Sequence, residues 1–444
     1  MALQMADPPA ALPRRNSAAR LFVGLASFQV FAMFRRGLFY SFLSIYLHYY
    51  LGLTVTETSL FSTVPMVLNV LFQTAVWGRI SDRLQKRRTL VIVGELLAAV
   101  GTVLVWLLHA HSPSRREAGF VIIWGLTAIE VFWSMSNIGW SAYISDAYSA
   151  ERRASVQGNL QSLGGLGRML GVWAGGAFYN RSGSSYEGWG FAEGCLFFVS
   201  SAFMVLSVIP MFFVPEGGIR LGEERKPGTA PPSHPSELRR SIWPFVLFLT
   251  GMTFVNFGRN ATSVINSQYL YLDTGFAVSS GTLSTIINMF SFSMVVMGFV
   301  IGRWAKNARS NVLLILGTAS AMIGLLLYDV ARQLGWIYIA GLFGGASEVL
   351  IFASSYAIAS ALIPPESRAT LFGLYNATFF LSWGMSATLI AGPLVDSLVR
   401  AGHSQLSAYR ASYMVALGIT GIGLVLLVLQ SRSRAYRQRL SASG

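Results

Sequence analysis

Twelve long apolar runs, separated by short polar segments, organise this chain of 444 residues. Each run is close to or above the roughly 20 residues that a helix needs to cross a bilayer. The runs lack the two-residue alternation of membrane-barrel strands, and only helices or closed barrels satisfy the backbone in hydrocarbon. The pattern therefore predicts an all-α membrane protein with twelve transmembrane helices. The runs cover residues 21–47, 57–77, 89–109, 119–143, 155–178, 194–214, 242–270, 281–301, 311–328, 336–361, 369–391 and 411–429.

A polar segment divides the runs into two groups of six. Residues 215–241 are rich in Pro, Gly and charged side chains, which is typical of a flexible linker. We therefore expect an N-terminal six-helix bundle over residues 1–214, a linker, and a C-terminal six-helix bundle over residues 242–444.

Composition agrees with a membrane protein. Of all residues, 53% are hydrophobic and 12% are charged, whereas soluble domains carry about a quarter charged residues. The formal net charge of +14 could indicate nucleic-acid binding, but the cations lie between the apolar runs rather than in one basic patch. We therefore expect a lipid bilayer around the chain and no nucleic-acid partner.

The cations also predict an orientation. If the N-terminus is cytoplasmic, the segments on its side of the membrane carry 23 Lys and Arg and the opposite loops carry 6. Positive loops favour the cytoplasmic side. The bias predicts a multi-pass protein of the cell membrane with both termini and the linker in the cytoplasm.

An internal repeat relates the two halves. Arg36 recurs 223 residues later as Arg259, and Glu130 recurs 218 residues later as Glu348. Matched Arg and Glu inside apolar runs are rare, so chance similarity explains them poorly. Duplicated bundles with a site between them at the membrane midplane are characteristic of transporters. The repeat therefore predicts two pseudo-symmetric bundles.

Six ionisable residues fall near the middle of the predicted spans. Each costs several kcal/mol unless it is paired or faces water, so we expect them to line a central cavity with a formal excess of two positive charges. Polar side chains at helical spacing accompany them. The charged residues are Arg35, Arg36, Glu130, Arg168, Arg259 and Glu348. Their polar neighbours are Gln29, Tyr40, Ser134, Asn137, Ser141, Asn256, Asn260, Ser263, Ser267, Asn376 and Trp383.

A loop motif gives a family resemblance. Residues 78–88 read GRISDRLQKRR and resemble the signature loop G-x-x-x-D-R-x-x-x-R-R of the major facilitator superfamily, and residues 302–306 are a weaker copy. The resemblance implies alternating access between two bundles, with the first, fourth, seventh and tenth spans lining the cavity. It also implies a cytoplasmic gate in which a loop carboxylate meets the helix N-terminus near Ala369. Alternatively, the arginines of this loop could serve only to hold it on the cytoplasmic side of the membrane. The implied gate residues are Gly78, Asp82, Arg83 and Arg87.

On the spans that the family implies, the repeat suggests one Arg–Glu pair per half, Arg36 with Glu130 and Arg259 with Glu348. Such pairs could be permanent structural ion pairs. A carboxyl group whose water and charged neighbours change during alternating access can instead take up and release a proton. We expect these glutamates to carry the proton, and the sequence favours Glu130 because the tenth span has fewer polar neighbours. Arg35 lies about 100° around the helix from Arg36 and is expected to pack between helices or reach the interface.

Glycines in the fifth span bear on the direction of transport. Their spacing is similar to the motif of drug/proton antiporters, which carry Pro where this chain has Val172. This resemblance implies export. Close helix packing at small residues is the alternative explanation. The glycines are Gly158, Gly167, Gly171, Gly175 and Gly176.

Together these features predict a functional monomer that exports a small anionic or amphipathic molecule in exchange for protons. Proton-coupled uptake of a polar or anionic nutrient is the first alternative, and a non-transporting sensor or assembly factor is the second. The sequence contains no phosphate loop, Cys/His cluster or nucleophile motif, so we expect neither enzyme activity nor a cofactor or metal.

The predicted orientation can be tested by cysteine labelling. Ser233→Cys, in a Cys195→Ser background, should be modified by a membrane-impermeant thiol reagent only after cells are opened, because the linker is expected in the cytoplasm. Labelling from outside intact cells would contradict this orientation.

Overall fold

The described part of the chain forms twelve long helical segments, here called spans 1 to 12. The computed structural model describes residues 15–148, 150–180, 188–217, 235–304, 310–363, 368–433 and 436. The first six spans are Arg15–Ile45, Val55–Phe72 continued by Gly78–Leu84, Arg87–Ala110, Arg115–Ala147, Ala150–Tyr179 and Cys195–Phe212. The second six are Pro235–Asn260 continued by Asn266–Tyr271, Ser280–Trp304, Ser310–Val330, Leu334–Leu362, Arg368–Ser386 continued by Gly392–Arg400, and Gln405–Arg432.

Local breaks interrupt several spans. π-helical turns follow span 1 at Tyr46–Tyr50, join the two parts of span 2 at Gln73–Trp77, and join the two parts of span 11 at Ala387–Ala391. Span 7 is broken after Asn260 and resumes at Asn266. π-Helical turns within helices are frequent at functional sites.

The predicted all-α membrane fold with two six-helix bundles is confirmed. Ten of the described helices are long and apolar enough to cross a membrane by composition alone, and spans 5 and 7 fall below that threshold. Span 5 carries Arg168 near its middle, and Arg259 lies in the last turn of the first helix of span 7. The helix of span 7 begins at Pro235, so it starts inside the segment predicted as linker.

Side-chain caps define the start of three spans at one end of the bundle. Thr54 accepts a hydrogen bond from the backbone of Glu57, whose carboxylate accepts one from the Thr54 backbone, which forms a capping box before span 2. Ser114 caps span 4 and Ser404 caps span 12 in the same way without the reciprocal bond. These caps supply partners to amides that the first helical turn leaves free.

Spans 1 and 5 pack at backbone distance because of the glycines in span 5. A Cβ added at Gly171 would lie 1.9 Å from the Phe34 carbonyl oxygen, and one at Gly167 would lie 2.4 Å from that of Val30. Conversely, a Cβ at Gly37 would lie 2.3 Å from the Arg168 carbonyl oxygen. The glycines therefore serve close helix packing, as the alternative reading of the motif predicted.

The two halves share a hydrophobic core at the end of the bundle opposite the linker, here called the sealed end. One continuous cluster there includes Phe42 and Tyr46 from the first half and Tyr269 and Tyr413 from the second. Toward the linker, each half has a cluster of its own, around Tyr143 in the first half and in a separate group in the second. We infer from these separate cores that the space between the halves opens toward the linker.

Hydrogen bonds across the sealed end reinforce this closure. Asp396 of span 11 accepts bonds from the backbone amides of Val55 and Thr56, at 3.1 and 2.9 Å, at the N-terminus of span 2. Ser59 and Thr388 share a hydrogen bond of 2.6 Å one turn further in. A carboxylate at a helix N-terminus is favoured by the free amides and the helix dipole.

Removing the Asp396 carboxylate should loosen the sealed end. Hydrogen bonds to a charged group contribute about 1.5–3 kcal/mol each, so Asp396→Ala, which removes two of them, should raise the population opened at this end by at least about tenfold. Electron–electron double resonance between spin labels on His111→Cys and His403→Cys, in a Cys195→Ser background, would report this opening as a longer distance. Glu117→Ala, a carboxylate near the same end, is the control. An unchanged distance distribution in Asp396→Ala would contradict a sealing role.

Candidate functional site

An ion pair in the second half lies at the centre of the candidate site. Arg259 of span 7 donates through Nη1 to Glu348 Oε2 of span 10. The Arg259 side chain is 7% exposed, whereas Glu348 is 31% exposed. The pair predicted from the repeat is therefore formed, and its carboxylate is the partner that faces water.

A polar network holds Arg259 in place. Its Nε donates to Asn256 Oδ1 at 3.1 Å, and Asn256 donates in turn to Thr378 of span 11 at 3.1 Å. Asn260 donates to Ser382 of the same span, also at 3.1 Å. The Arg259 guanidinium lies 5.7 Å from the ring centroid of Phe379, within cation–π range. Three of these residues, Asn256, Arg259 and Asn260, were predicted to share one face of span 7, as they do.

That polar face ends earlier than predicted. The sequence suggested that Ser263 and Ser267 continue the helix face of span 7, but the helix stops at Asn260. Ser263 donates to the Asn260 carbonyl at 2.8 Å and so satisfies a carbonyl at the break. Ser267 instead points its hydroxyl to the Ser41 carbonyl of the first half, at 3.4 Å.

The first half does not form the equivalent pair. Among the described residues no ion pair within 4.0 Å joins Arg36 to Glu130, although the two interact electrostatically. Glu130 instead accepts a hydrogen bond from Asn69 of span 2, and Asn69 accepts one from Gln73 at 2.7 Å. Arg36 is exposed. In this half Glu130 therefore has an amide partner in place of the predicted arginine, and Arg36 interacts with it only at longer range.

A buried pair that sequence reasoning missed lies behind this group. Arg35 is 2% exposed, 3.9 Å from Glu95 of span 3, and its guanidinium lies 4.1 Å from the ring centroid of Trp133. Glu95 also accepts a hydrogen bond from Ser136 at 3.1 Å. Arg35 thus packs between helices, which is one of the two placements expected from the sequence. A lone acid in the third apolar run was the available signal for its partner.

Arg168 connects the two halves electrostatically. This span 5 arginine interacts with Glu348 of the second half and with Arg36 of the first. The close packing of spans 1 and 5 fixes its backbone against Gly37. Three arginines therefore surround the two cavity glutamates from both halves: Arg36, Arg168 and Arg259.

The remaining predicted residues have varied surroundings. Tyr40 is partly buried, with its ring 6.3 Å from those of Phe61 and Trp133. Asn137 is partly buried, and its carbonyl accepts a bond from Ser141. Asn376 is exposed on span 11.

The loop motif is described only in part. Gly78 begins the last helical segment of span 2, which ends at the left-handed residue Gln85. Arg83 is exposed, and Arg87 is buried with its guanidinium donating to Ser81 Oγ. The side chains of Asp82 and Ala369 lie outside the described part, so their predicted gate contact stays a prediction.

This architecture, two six-helix bundles with charged residues between them, defines a class of polytopic membrane transporters. The family model of the Major Facilitator Superfamily matches residues 25–269 and 248–443. The chain belongs to the Major Facilitator Superfamily, and family and fold together indicate a membrane transporter rather than an enzyme. No curated protein matches the chain in sequence.

Solved structures share the fold at low sequence identity. A variant of the nucleoside transporter NupG superposes with a TM-score of 0.72 at 12% identity, covering 92% of this chain and 99% of that one. A bacterial homologue of the human lysosomal transporter Spinster, inward-facing and unoccupied, gives 0.71 at 13% identity, covering 94% and 98%. A POT family transporter in complex with a thioalcohol-conjugated peptide gives 0.66 at 13% identity, covering 93% and 96%.

The Arg259–Glu348 pair should be visible as energetic coupling. Breaking a buried pair costs about 3–5 kcal/mol, and the partial exposure of Glu348 should reduce this to roughly 1–3 kcal/mol for Arg259→Gln. The double variant Arg259→Gln/Glu348→Gln should recover part of that loss in thermal unfolding. Arg36→Gln is the control and should change stability little, because Arg36 has no ion pair with any residue in the described part of the chain. Additive effects of the two paired substitutions would contradict the coupling.

Proposed function

We propose that this protein is a secondary active transporter that moves a small anionic, amphipathic molecule by alternating access, with a proton carried on Glu348. The observation that carries the proposal is the Arg259–Glu348 ion pair, buried on the arginine side and open to the cavity on the carboxylate side. Such a pair can be opened by a proton or by a competing anion.

Charge favours an anionic substrate. Counting Arg35 with Glu95 as a buried pair, the cavity retains Arg36, Arg168 and Arg259 against Glu130 and Glu348. One positive charge is left over, and protonation of a glutamate adds a second. Guanidinium groups bind carboxylate, phosphate or sulfonate groups through two parallel hydrogen bonds. An anionic group between Arg259 and Arg168 would restore charge balance.

The same pair suggests how proton and anion are coupled. An ionised Glu348 occupies Arg259, so an anion must displace it. A protonated Glu348 no longer holds Arg259, and the arginine is then available to the anion. Proton and anion therefore bind together and move in the same direction. This argument favours Glu348 over Glu130 as the proton carrier, because Glu130 has an amide as its direct partner.

Co-movement supports uptake rather than export. With an inward proton gradient, an anion that travels with the proton enters the cell. The sequence favoured export through the glycine spacing of span 5. Three of these glycines, Gly167, Gly171 and Gly175, contact span 1, and this packing accounts for that part of the spacing. Export by exchange is the second candidate, and it rests on the spacing alone.

We place the protein in a cell membrane with the linker in the cytoplasm. We infer that a monomer suffices, because one chain supplies both walls of the cavity.

Proton flux in reconstituted vesicles tests the coupling. Benzenesulfonate and cyclohexanesulfonate stay ionised and serve as anionic probes, with benzyltrimethylammonium as the cationic probe. Addition of an anionic probe should carry protons in the same direction, as reported by a trapped pH-sensitive dye. Glu348→Gln should abolish this proton movement, because its side chain cannot be ionised. Glu130→Gln should retain it, and Glu117→Gln is the remote control.

Three outcomes would contradict the proposal. Opposite proton and anion movements would indicate exchange. Proton movement driven only by the cation would overturn the anionic substrate. Full coupling in Glu348→Gln would remove Glu348 as the carrier.

A further inference from the structure

Three arginines follow one another across the candidate site from the first half to the second. Arg168 of span 5 interacts electrostatically with Arg36 of span 1, and also with Glu348, the ion-pair partner of Arg259. Arg168 therefore connects Arg36 to the Arg259–Glu348 pair. Like charges at this depth are costly unless anions or water compensate them.

Backbone packing holds Arg36 and Arg168 next to each other. Gly37, which follows Arg36, packs so closely on the carbonyl oxygen of Arg168 that an added Cβ would collide with it. About one turn away, Gly171 packs in the same way on the carbonyl oxygen of Phe34. Such contacts between small residues fix helices against each other in membranes. Spans 1 and 5 therefore cannot shift to relieve the repulsion between the two guanidinium groups without breaking this packing.

Acidic side chains compensate these two arginines only in part. Glu130 interacts electrostatically with Arg36, but its hydrogen-bond partner is Asn69. In the described part of the chain, neither Arg36 nor Arg168 has an ion pair within 4.0 Å. Water can supply the remaining compensation while the cavity is open. Alternating access passes through a form closed at both ends, and with less water there the net charge of the cavity becomes costly.

The net charge of the closed cavity depends on the protonation of Glu348. With Arg35 balanced by Glu95, three arginines and two glutamates leave one positive charge when Glu348 is ionised. A single anionic group would balance that charge. In the proposed cycle, however, Glu348 is protonated while the anion is bound, and the excess is then two positive charges. One anionic group therefore leaves the closed form charged, whereas two anionic groups make it neutral.

We propose that the substrate carries two anionic groups, of the carboxylate, phosphate or sulfonate class, one between Arg259 and Arg168 and the other between Arg168 and Arg36. Cations and anions then alternate from one half to the other, and Arg168 shares its five donors between both groups. This inference rests on the proposed function for the first group and adds the second. It assigns Arg36 as the residue that selects dianions over monoanions.

Matched probes test the second anionic group separately from the first. Benzenesulfonate and benzene-1,3-disulfonate differ by one ionised group, and so do propanesulfonate and propane-1,3-disulfonate, whose flexible chain adapts to the spacing of the arginines. Their dissociation constants for the purified protein in detergent can be measured by ligand-observed nuclear magnetic resonance. At about 0.15 M salt, distant surface charges are largely screened. In at least one pair the disulfonate should bind about tenfold or more tightly than the monosulfonate, as expected for one added charge-assisted contact.

Variants localise the preference. Arg36→Gln should remove most of it by weakening the disulfonate more than the monosulfonate, because the first anionic group lies on Arg259 and Arg168. Arg36→Lys keeps the charge but not the two parallel donors, so it should retain only part of the preference. Arg432→Gln removes an exposed cation from the last turn of span 12 and is the control for general charge attraction. Unchanged thermal unfolding of each variant would show that it is folded.

The outcomes distinguish this inference from the proposed function. Equal affinities within both probe pairs, with proton-coupled flux of benzenesulfonate, would overturn the second anionic group and leave the anion transporter standing. A preference that persists in Arg36→Gln, or that Arg432→Gln reduces as much, would overturn the site at Arg36. Binding of benzyltrimethylammonium but of no sulfonate would overturn both the inference and the proposed function. Binding of no probe would also overturn the inference.

Discussion

A charged side chain in the middle of a membrane span is costly unless another charge or water compensates it. In this protein that constraint brings Arg259 of span 7 and Glu348 of span 10 together. Asn256 fixes the arginine from its own helix and connects it to span 11. Contacts that satisfy one guanidinium group therefore connect spans 7, 10 and 11, and the partly exposed carboxylate is the member of the pair that can change its protonation or its partner.

The two halves solve the same problem differently. In the second half the arginine at the repeated position is paired directly. In the first half the corresponding Arg36 is exposed, and the neighbouring Arg35 forms an ion pair with the buried Glu95. The two halves are pseudo-symmetric in fold but differ in their charges. The second half contains the Arg259–Glu348 ion pair, whereas Arg36 of the first half is exposed. Arg168 lies between them, held there by the glycine-mediated contact of spans 1 and 5.

The sequence predicts the fold and part of the site, for physical reasons. Bilayer thickness and the cost of unsatisfied backbone groups make apolar runs a direct record of spans. Charged residues are rare inside membrane spans, so an Arg and a Glu that recur in both halves predict the Arg259–Glu348 pair. The repeat could not predict the role of Glu95, because no acid occupies the corresponding position in the second half. The contact of Asp396 with the Val55 amide could not be predicted either. The two residues are far apart in the sequence, and tertiary packing brings them together. The break of span 7 after Asn260 likewise interrupts a polar spacing that continues in the sequence.

The central claim is that an anion displaces Glu348 from Arg259 and that Glu348 then holds a proton. Difference infrared spectroscopy of the purified protein, recorded before and after addition of benzenesulfonate at neutral pH, measures this directly. The account predicts a new band in the carbonyl-stretching region of protonated carboxyl groups that is absent in Glu348→Gln and retained in Glu130→Gln. Anion binding without such a band, or a band that persists in Glu348→Gln, would contradict it.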